Sequence, residues 1–396
     1  MIDACPPIFV GGTGRSGTTI MGKYLNSHQS VVTPVHENKL IVEDGGLRSL
    51  IDNLSAGYEY KSNHNAIRNF IEWANTLRSY GFRNTPVNLA YRAANRAIMK
   101  VTGKRIPPAK AARALPFLAF SLVGNGERYG LDHYDRCLSD FLGKVIGATD
   151  THGIVDTEGL LKPVYSPSTT DRAKLLDWAR QFLTALNAKA LEAAGAARWC
   201  DDSPLNARYA AFLHEMYPSA KLVHMVRDPR DVAASYMGKS WASRDLELTL
   251  DRLRGHYAEL ASVEARLPDS FFRTVRLEGF TSDFENRSGE LCRFLGIDPE
   301  GFDGSVSFEA SSFGRWKETF SERERALVEH YLQPACERYG YSSRRPATFG
   351  PVAAGSGRAS ARPSPDCSGA GVVSAATSRR ASRQSEQPAA AGHLRP

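Results

Sequence analysis

The chain has 396 residues, 42% hydrophobic and 23% charged, the composition of an ordinary globular protein with enough apolar residues for a sizeable core. No uncharged run approaches the roughly 20 residues that a membrane-spanning helix needs. The net charge is +7, but eight arginines and two acids beyond Ser343 carry +6 of it, leaving about +1 for residues 1–343. The balance therefore gives no ground for a nucleic-acid partner.

Met1 to Val10 has no basic stretch followed by a 7–15 residue apolar segment, so no secretory leader is expected and a cytoplasmic location is the default. The six cysteines (Cys5, Cys137, Cys200, Cys292, Cys336, Cys367) lie 31 or more residues apart, which gives neither a CxxC pair nor zinc-ligand spacing. They read as reduced thiols, and no metal is expected.

Short runs rich in β-branched or aromatic residues alternate with helical patterns, the signature of an α/β fold with a parallel sheet flanked by helices. Strands are expected at Ile8–Val10, Arg198–Cys200, Leu222–Val226 and Phe271–Leu277, and helices at Gly17–Asn26, Leu205–Met216, Asp228–Met237 and Phe280–Phe294. From about Leu40 to Ala197 the pattern becomes helical segments broken at prolines 86, 107, 108, 116 and 163, read as a large, mostly helical insertion over one end of the sheet. Helices at Leu246–Leu267 and Ser321–Tyr339 finish the core. Residues 342–396, rich in Ala, Ser, Gly, Pro and Arg, lack the large apolar residues needed to offset the entropy of ordering, so a disordered tail is expected.

Gly11-Gly12-Thr13-Gly14-Arg15-Ser16-Gly17-Thr18-Thr19 lies between the first strand and the first helix. Glycines let backbone wrap an anion, and the N–H groups and dipole at a helix start favour phosphate or sulfate. Thr18 and Thr19 add hydroxyl donors, and Arg15 brings a planar cation suited to two-pronged oxyanion binding. The loop nearly matches GxxxxGK[ST], but Thr18 stands where that pattern has its lysine and the cation has moved to Arg15. A second strand-to-helix turn follows at Val226-Arg227-Asp228-Pro229, with Ser235 two helical turns further on.

These two motifs resemble those of the sulfotransferases that use 3′-phosphoadenosine 5′-phosphosulfate (PAPS), in the branch with arginine in the loop, similar to the carbohydrate and tyrosyl-protein enzymes. The resemblance covers about Pro7–Glu37 and Arg198–Tyr341. It implies one sulfotransferase domain over residues 1–341, with the insertion at about 40–197 on the substrate side. PAPS would be the co-substrate, and the acceptor a hydroxyl of a small molecule or glycan. Gly14, Arg15, Ser16, Gly17, Thr18 and Thr19 would hold the 5′-phosphosulfate, and Arg227 with Ser235 the 3′-phosphate. Phe313-Gly314-Arg315-Trp316-Lys317 is similar to the family's nucleotide-closing GxWK segment. Glu309-Ala310-Ser311 stands where cytosolic members have a basic element, so Arg315 or Lys317 would replace its contact. Trp316 reads as packing rather than as an adenine stack.

Sulfuryl transfer needs a base for the acceptor hydroxyl and cations on the moving oxygens. Glu37, 22 residues past Arg15, is the first candidate base, as in the arginine-type branch, and His36 is its competitor. Many relatives have lysine where this chain has Asp202. Either Lys317 or another cation supplies that charge, or Asp202 contacts a polyhydroxylated acceptor. Aromatic residues of the insertion (Tyr58, Tyr60, Trp73, Tyr80, Phe117, Phe120, Tyr129, Tyr134) are candidates for an acceptor cleft, though core packing is the first reading of most. Two other functions stay open at this level. One is a metabolite kinase, with Asp228 as a magnesium ligand. The other is a catalytically silent nucleotide-binding protein.

Overall fold

A computed structural model describes residues 6–78, 86–102, 125–150, 163–239, 242–310 and 313–341. The chain divides into a unit of residues 1–345 and a second of residues 346–396. The tail expected to be disordered, together with Tyr80, Phe117 and Phe120, lies outside the described residues.

Strand β1 (Ile8–Gly12) is buried along its whole length, as a central parallel strand must be. It leads into helix α1 (Thr18–Asn26) and a two-residue strand β2 (Val31–Val32). Helices α2 (Leu47–Ser55), α3 (Tyr60–Arg78), α4 (Pro86–Thr102), α5 (Asn125–Tyr129) and α6 (Leu131–Val145) follow. An antiparallel pair β3 (Ile146–Asp150) and β4 (Val164–Pro167) precedes the long helix α7 (Arg172–Ala194). Then come β5 (Arg198–Asp201), α8 (Ala210–Met216), β6 (Lys221–Val226), α9 (Pro229–Met237), α10 (Leu246–Glu264) and β7 (Phe272–Arg276). Helices α11 (Leu277–Ser282), α12 (Phe284–Leu295), α13 (Trp316–Thr319) and α14 (Glu322–Arg338) complete the described chain.

The main sheet has the order β2-β5-β1-β6-β7, every neighbour parallel. Strand alternation sorts its side chains. Ile8 and Val10 enter a core with Met21, Tyr24 and Leu25 of α1 and Phe280 and Leu291 of α11 and α12, while Phe9 enters the opposite one. That opposite core holds Leu222 and Phe272 of the sheet together with Leu50, Phe70, Tyr134, Phe141 and Phe182 from α2, α3, α6 and α7. The mostly helical stretch, over its described residues, is thus a cover on one sheet face, where the sequence pattern had put it over one end. The strand pair β3–β4 within it was not anticipated, nor was β2, whose two residues are too few to leave a periodicity. The expected helix at Phe280–Phe294 is two helices that meet at Asp283, whose φ of −135° and ψ of 55° are not helical.

The element starts follow local chemistry. Asp228 caps α9 by accepting the Arg230 N–H, with Pro229 in the first turn. Ser321 and Glu324 form a reciprocal capping box on α14. Cys137, Cys200, Cys292 and Cys336 are buried free thiols. No helix among the described residues is long and apolar enough to cross a membrane.

Candidate active site

The chain leaves the carboxyl end of β1 towards β2 on one side and the carboxyl end of β6 towards β7 on the other. Adjacent strands with diverging exits open a crevice between them, the usual ligand position in an open α/β sheet. Both candidate anion motifs sit there because each begins where one of these strands ends.

After β1, Gly14 (φ 76°), Arg15 (φ 58°) and Gly17 (φ 102°) adopt left-handed backbone, the geometry by which a loop curls its N–H groups around an anion. Gly17 is required by its φ, and Arg15 holds a conformation uncommon for a side chain with a Cβ, at a cost of about 1–3 kcal/mol. Tyr236 of α9 donates its hydroxyl to the Thr13 carbonyl at 2.7 Å, tying the loop to the second motif. Ser16 is fully buried, and its hydroxyl has no hydrogen-bond partner among the described residues. That hydroxyl lies beneath the loop, where a Cβ on Gly12 would stand 2.3 Å from it.

Arg227 directly follows β6 and is 8% exposed. Arg15 Nε donates to Ser235 Oγ at 3.1 Å, so residues of the two motifs touch. Asp231, one turn into α9, accepts from the Gly314 and Trp316 N–H groups at 2.7 and 3.0 Å and lies 3.8 Å from the Arg227 guanidinium. That carboxylate pins the 313–320 segment beside the crevice. Trp316 is buried, with the Arg230 guanidinium 4.5 Å from its ring centre, and is a packing residue.

Two cavities result. One, of about 220 Å³, is lined by Arg15, Arg227, Asp231, Ser235, Lys239, Arg315 and Thr319, among others. The other, of about 440 Å³, is lined by Arg15, Gly17, Thr18, Thr19, Arg227, Leu277, Thr281, Phe308 and Glu309, among others. Arg15 and Arg227 line both. Phe308 reaches this place by packing its ring against Tyr24 and Phe280 at 5.5 and 4.9 Å. Lys239 was missed in the sequence; it lies two residues past the end of α9, where helical spacing from Ser235 no longer applies, and the turn closed by its N–H on the Tyr236 carbonyl brings it to the cavity. Lys317 is exposed, its Nζ 6.0 Å from the Trp316 ring centre, and lines neither cavity.

The segment that carries the candidate bases hangs from the end of β5. Asp202, fully buried, holds Oδ2 at 2.9 Å from His36 Nδ1 and accepts the Glu37 N–H through Oδ1 at 2.7 Å. Asp201 accepts from the Asn38 N–H at 3.1 Å, and also from Ser203 and Asn206. Burial pushes the Asp201 carboxyl up to about 7, against the pull of those donors. The α1 backbone closes over this pair at Gly22, where a Cβ would lie 2.3 Å from Asp202 Oδ2. Asp202 is therefore occupied inside the fold, which corrects the reading of it as an acceptor contact. Glu37 has a left-handed φ of 52°. Neither His36 nor Glu37 lines the two cavities above.

Asp228, the metal ligand of the kinase reading, is instead the α9 cap; it also pairs with Arg230 at 2.8 Å, and its N–H donates to Glu278. Among the described residues no group of three or more His, Cys, Asp or Glu is arranged to hold a metal ion. The aromatic candidates for an acceptor cleft divide by burial. Tyr129 and Tyr134 are core, donating to Asn187 and Ala74, and Trp73 donates to the Lys39 carbonyl. Tyr58 and Tyr60 are 65% and 45% exposed.

Residues 152–301 match the model of the Sulfotransferase family, a stretch that includes Asp202, Arg227 and Ser235. The match bears out the resemblance to a sulfotransferase family over the stretch that holds the second motif; the Gly11–Thr19 loop lies outside it. No curated protein matches the chain. Among solved structures, the sulfotransferase domain from the Synechococcus PCC 7002 olefin synthase aligns at 13% identity over 85% of this chain and 95% of that one, with a TM-score of 0.43. Sulfotransferase STF9 from Mycobacterium avium aligns at 14% identity, covering 85% and 77% of the two chains, with a TM-score of 0.40. STF1 from Mycobacterium tuberculosis H37Rv aligns at 13%, covering 83% and 76%, with a TM-score of 0.38.

Proposed function

We propose that this protein is a sulfotransferase that moves the sulfuryl group of PAPS to a hydroxyl of a small molecule or glycan and releases adenosine 3′,5′-bisphosphate. The observation that carries the reading is the meeting of Arg15 and Arg227, one from each anion motif, on the walls of two cavities at the β1/β6 crevice. A donor with one anionic group at each end of a ribose needs two such positions. Ser235, Lys239 and Arg315 add donors on the side assigned to the 3′-phosphate, and Thr18 and Thr19 on the side assigned to the 5′-phosphosulfate.

In the transfer, the acceptor oxygen attacks sulfur in line with the bond to the 5′-phosphate. The new S–O bond forms as the old one breaks, its electron pair leaves on the phosphate, and the hydroxyl proton passes to a base. Arg15 would offset charge on the moving oxygens, a preorganised interaction that gains strength in a partly desolvated cleft. The 36–37 segment supplies the candidate bases. Lys317 remains a candidate cation only if the 313–320 segment closes inwards on the donor.

Calorimetry with adenosine 3′,5′-bisphosphate and adenosine 5′-monophosphate, followed by transfer from sulfur-35-labelled PAPS to extracts of hydroxyl-bearing metabolites, tests the reading. We expect at least tenfold tighter binding of the bisphosphate and a labelled ester product. Equal affinities would overturn PAPS as donor, and turnover that requires ATP and magnesium would make the protein a kinase. Tight bisphosphate binding without transfer to any acceptor would leave a silent binding protein.

A further inference from the structure

A buried carboxylate that accepts from a histidine on one oxygen and from a backbone N–H on the other determines where the histidine keeps its proton. Asp202 Oδ1 accepts the Glu37 N–H, Oδ2 lies 2.9 Å from His36 Nδ1, and the side chain is 0% exposed. The Glu37 amide can only donate, so it always claims an acceptor oxygen. The remaining oxygen accepts from His36, which places the ring proton on Nδ1 and leaves the Nε2 lone pair available. The His36 side chain is 35% exposed, and its Nε2 makes no hydrogen bond among the described residues.

The arrangement is rigidly backed. Asp202 follows a fully buried strand, the α1 backbone approaches it so closely at Gly22 that a Cβ there would collide with it, and Asp201 takes the next N–H, that of Asn38. Three consecutive residues, 36–38, are thereby fastened to two consecutive carboxylates, and the left-handed backbone of Glu37 is held in place. A base oriented by a third group is the recurring construction for activating a hydroxyl.

We propose that Asp202 is a positioning residue that fixes the His36 tautomer, making His36 Nε2, rather than the Glu37 carboxylate, the acceptor of the hydroxyl proton. The proposal deepens, and its catalytic half rests on, the sulfotransferase reading. It accounts for an acid at a position where a lysine was expected: the position holds the base segment instead of the donor.

The test is Asp202→Asn. In this variant the amide oxygen must still face the Glu37 N–H, so its NH₂ faces His36 Nδ1 and drives the ring proton to Nε2, while size and shape are kept. Nitrogen-15 histidine NMR of the full chain, with the His36 signals identified by their loss in His36→Gln, reads the tautomer directly. We expect Nδ1–H in the wild type and Nε2–H in Asp202→Asn. Kinetics should show kcat reduced by about 10²–10⁴-fold in both variants, the contribution of general base catalysis, with the KM for PAPS and the affinity for adenosine 3′,5′-bisphosphate unchanged. An Nε2–H signal in the wild type overturns the positioning role. A reversed tautomer in Asp202→Asn with undiminished kcat overturns His36 as the base. A wild type that transfers no sulfate overturns the function reading and the proton-accepting role with it, while the NMR still decides the tautomer separately.

Discussion

Replacing Arg227 by alanine probes the crevice most directly, because this side chain lines both cavities and is 8% exposed. A hydrogen bond to a charged group contributes about 1.5–3 kcal/mol, and low exposure spares it most solvent screening. At 1.4 kcal/mol per factor of ten, the variant should bind adenosine 3′,5′-bisphosphate roughly 10- to 140-fold more weakly. Adenosine 5′-monophosphate lacks the phosphate assigned to Arg227, so its affinity should change little, and the ratio of the two affinities is the quantity to follow by calorimetry. The fold should tolerate the change. Asp231 loses a cation 3.8 Å away but keeps the Gly314 and Trp316 N–H donors, so it is not left unsatisfied. Arg227→Lys keeps the charge without the planar fork and should fall between. An affinity ratio untouched in Arg227→Ala, with the melting temperature also unchanged, would refute the assignment of Arg227 to the 3′-phosphate.

Asp231→Ala should lower the melting temperature and weaken bisphosphate binding together, since it orphans two N–H donors at about 1–3 kcal/mol each and frees the segment that carries Arg315; limited proteolysis should then cut within 313–320, and an uncut segment would show that Asp231 does not hold it. Gly22→Ala puts a methyl 2.3 Å from Asp202 Oδ2, and overpacking of about 1–3 kcal/mol should appear as a fall of a few degrees in Tm with slower turnover; an unchanged Tm and rate would mean that α1 yields at no cost. Asp201, raised by burial from 3.8 to about 7, contributes stability that is fully present below about pH 4 and lost as the pH rises through about 7, because the folded state keeps a proton that the unfolded chain releases. Against Asp201→Asn, which stays neutral, the wild type should lose Tm over that window, and a difference constant from pH 4 to 8 would refute the raised value.

The amino-acid order alone determined the α/β class and the two anion motifs, because both depend on local chemistry: an apolar strand, a turn that needs glycine or proline, and an amphipathic helix behind it. What tertiary structure decided is how segments far apart in the chain meet. That Arg15 reaches Ser235 follows from β1 and β6 being neighbours with diverging exits, a matter of strand order that no spacing records. The helical stretch after Leu40 proved to be the cover of a sheet face for the same reason, since its apolar stripes do not name the surface they seek. Asp202 is the sharpest case. As a letter beside Ser203-Pro204 it is an acid where a cation was expected, and only the pairing of β5 with β1, with α1 closing above, brings its two oxygens to His36 and Glu37. A buried carboxylate takes its meaning from the donors around it, and here those donors lie more than 160 residues earlier in the chain.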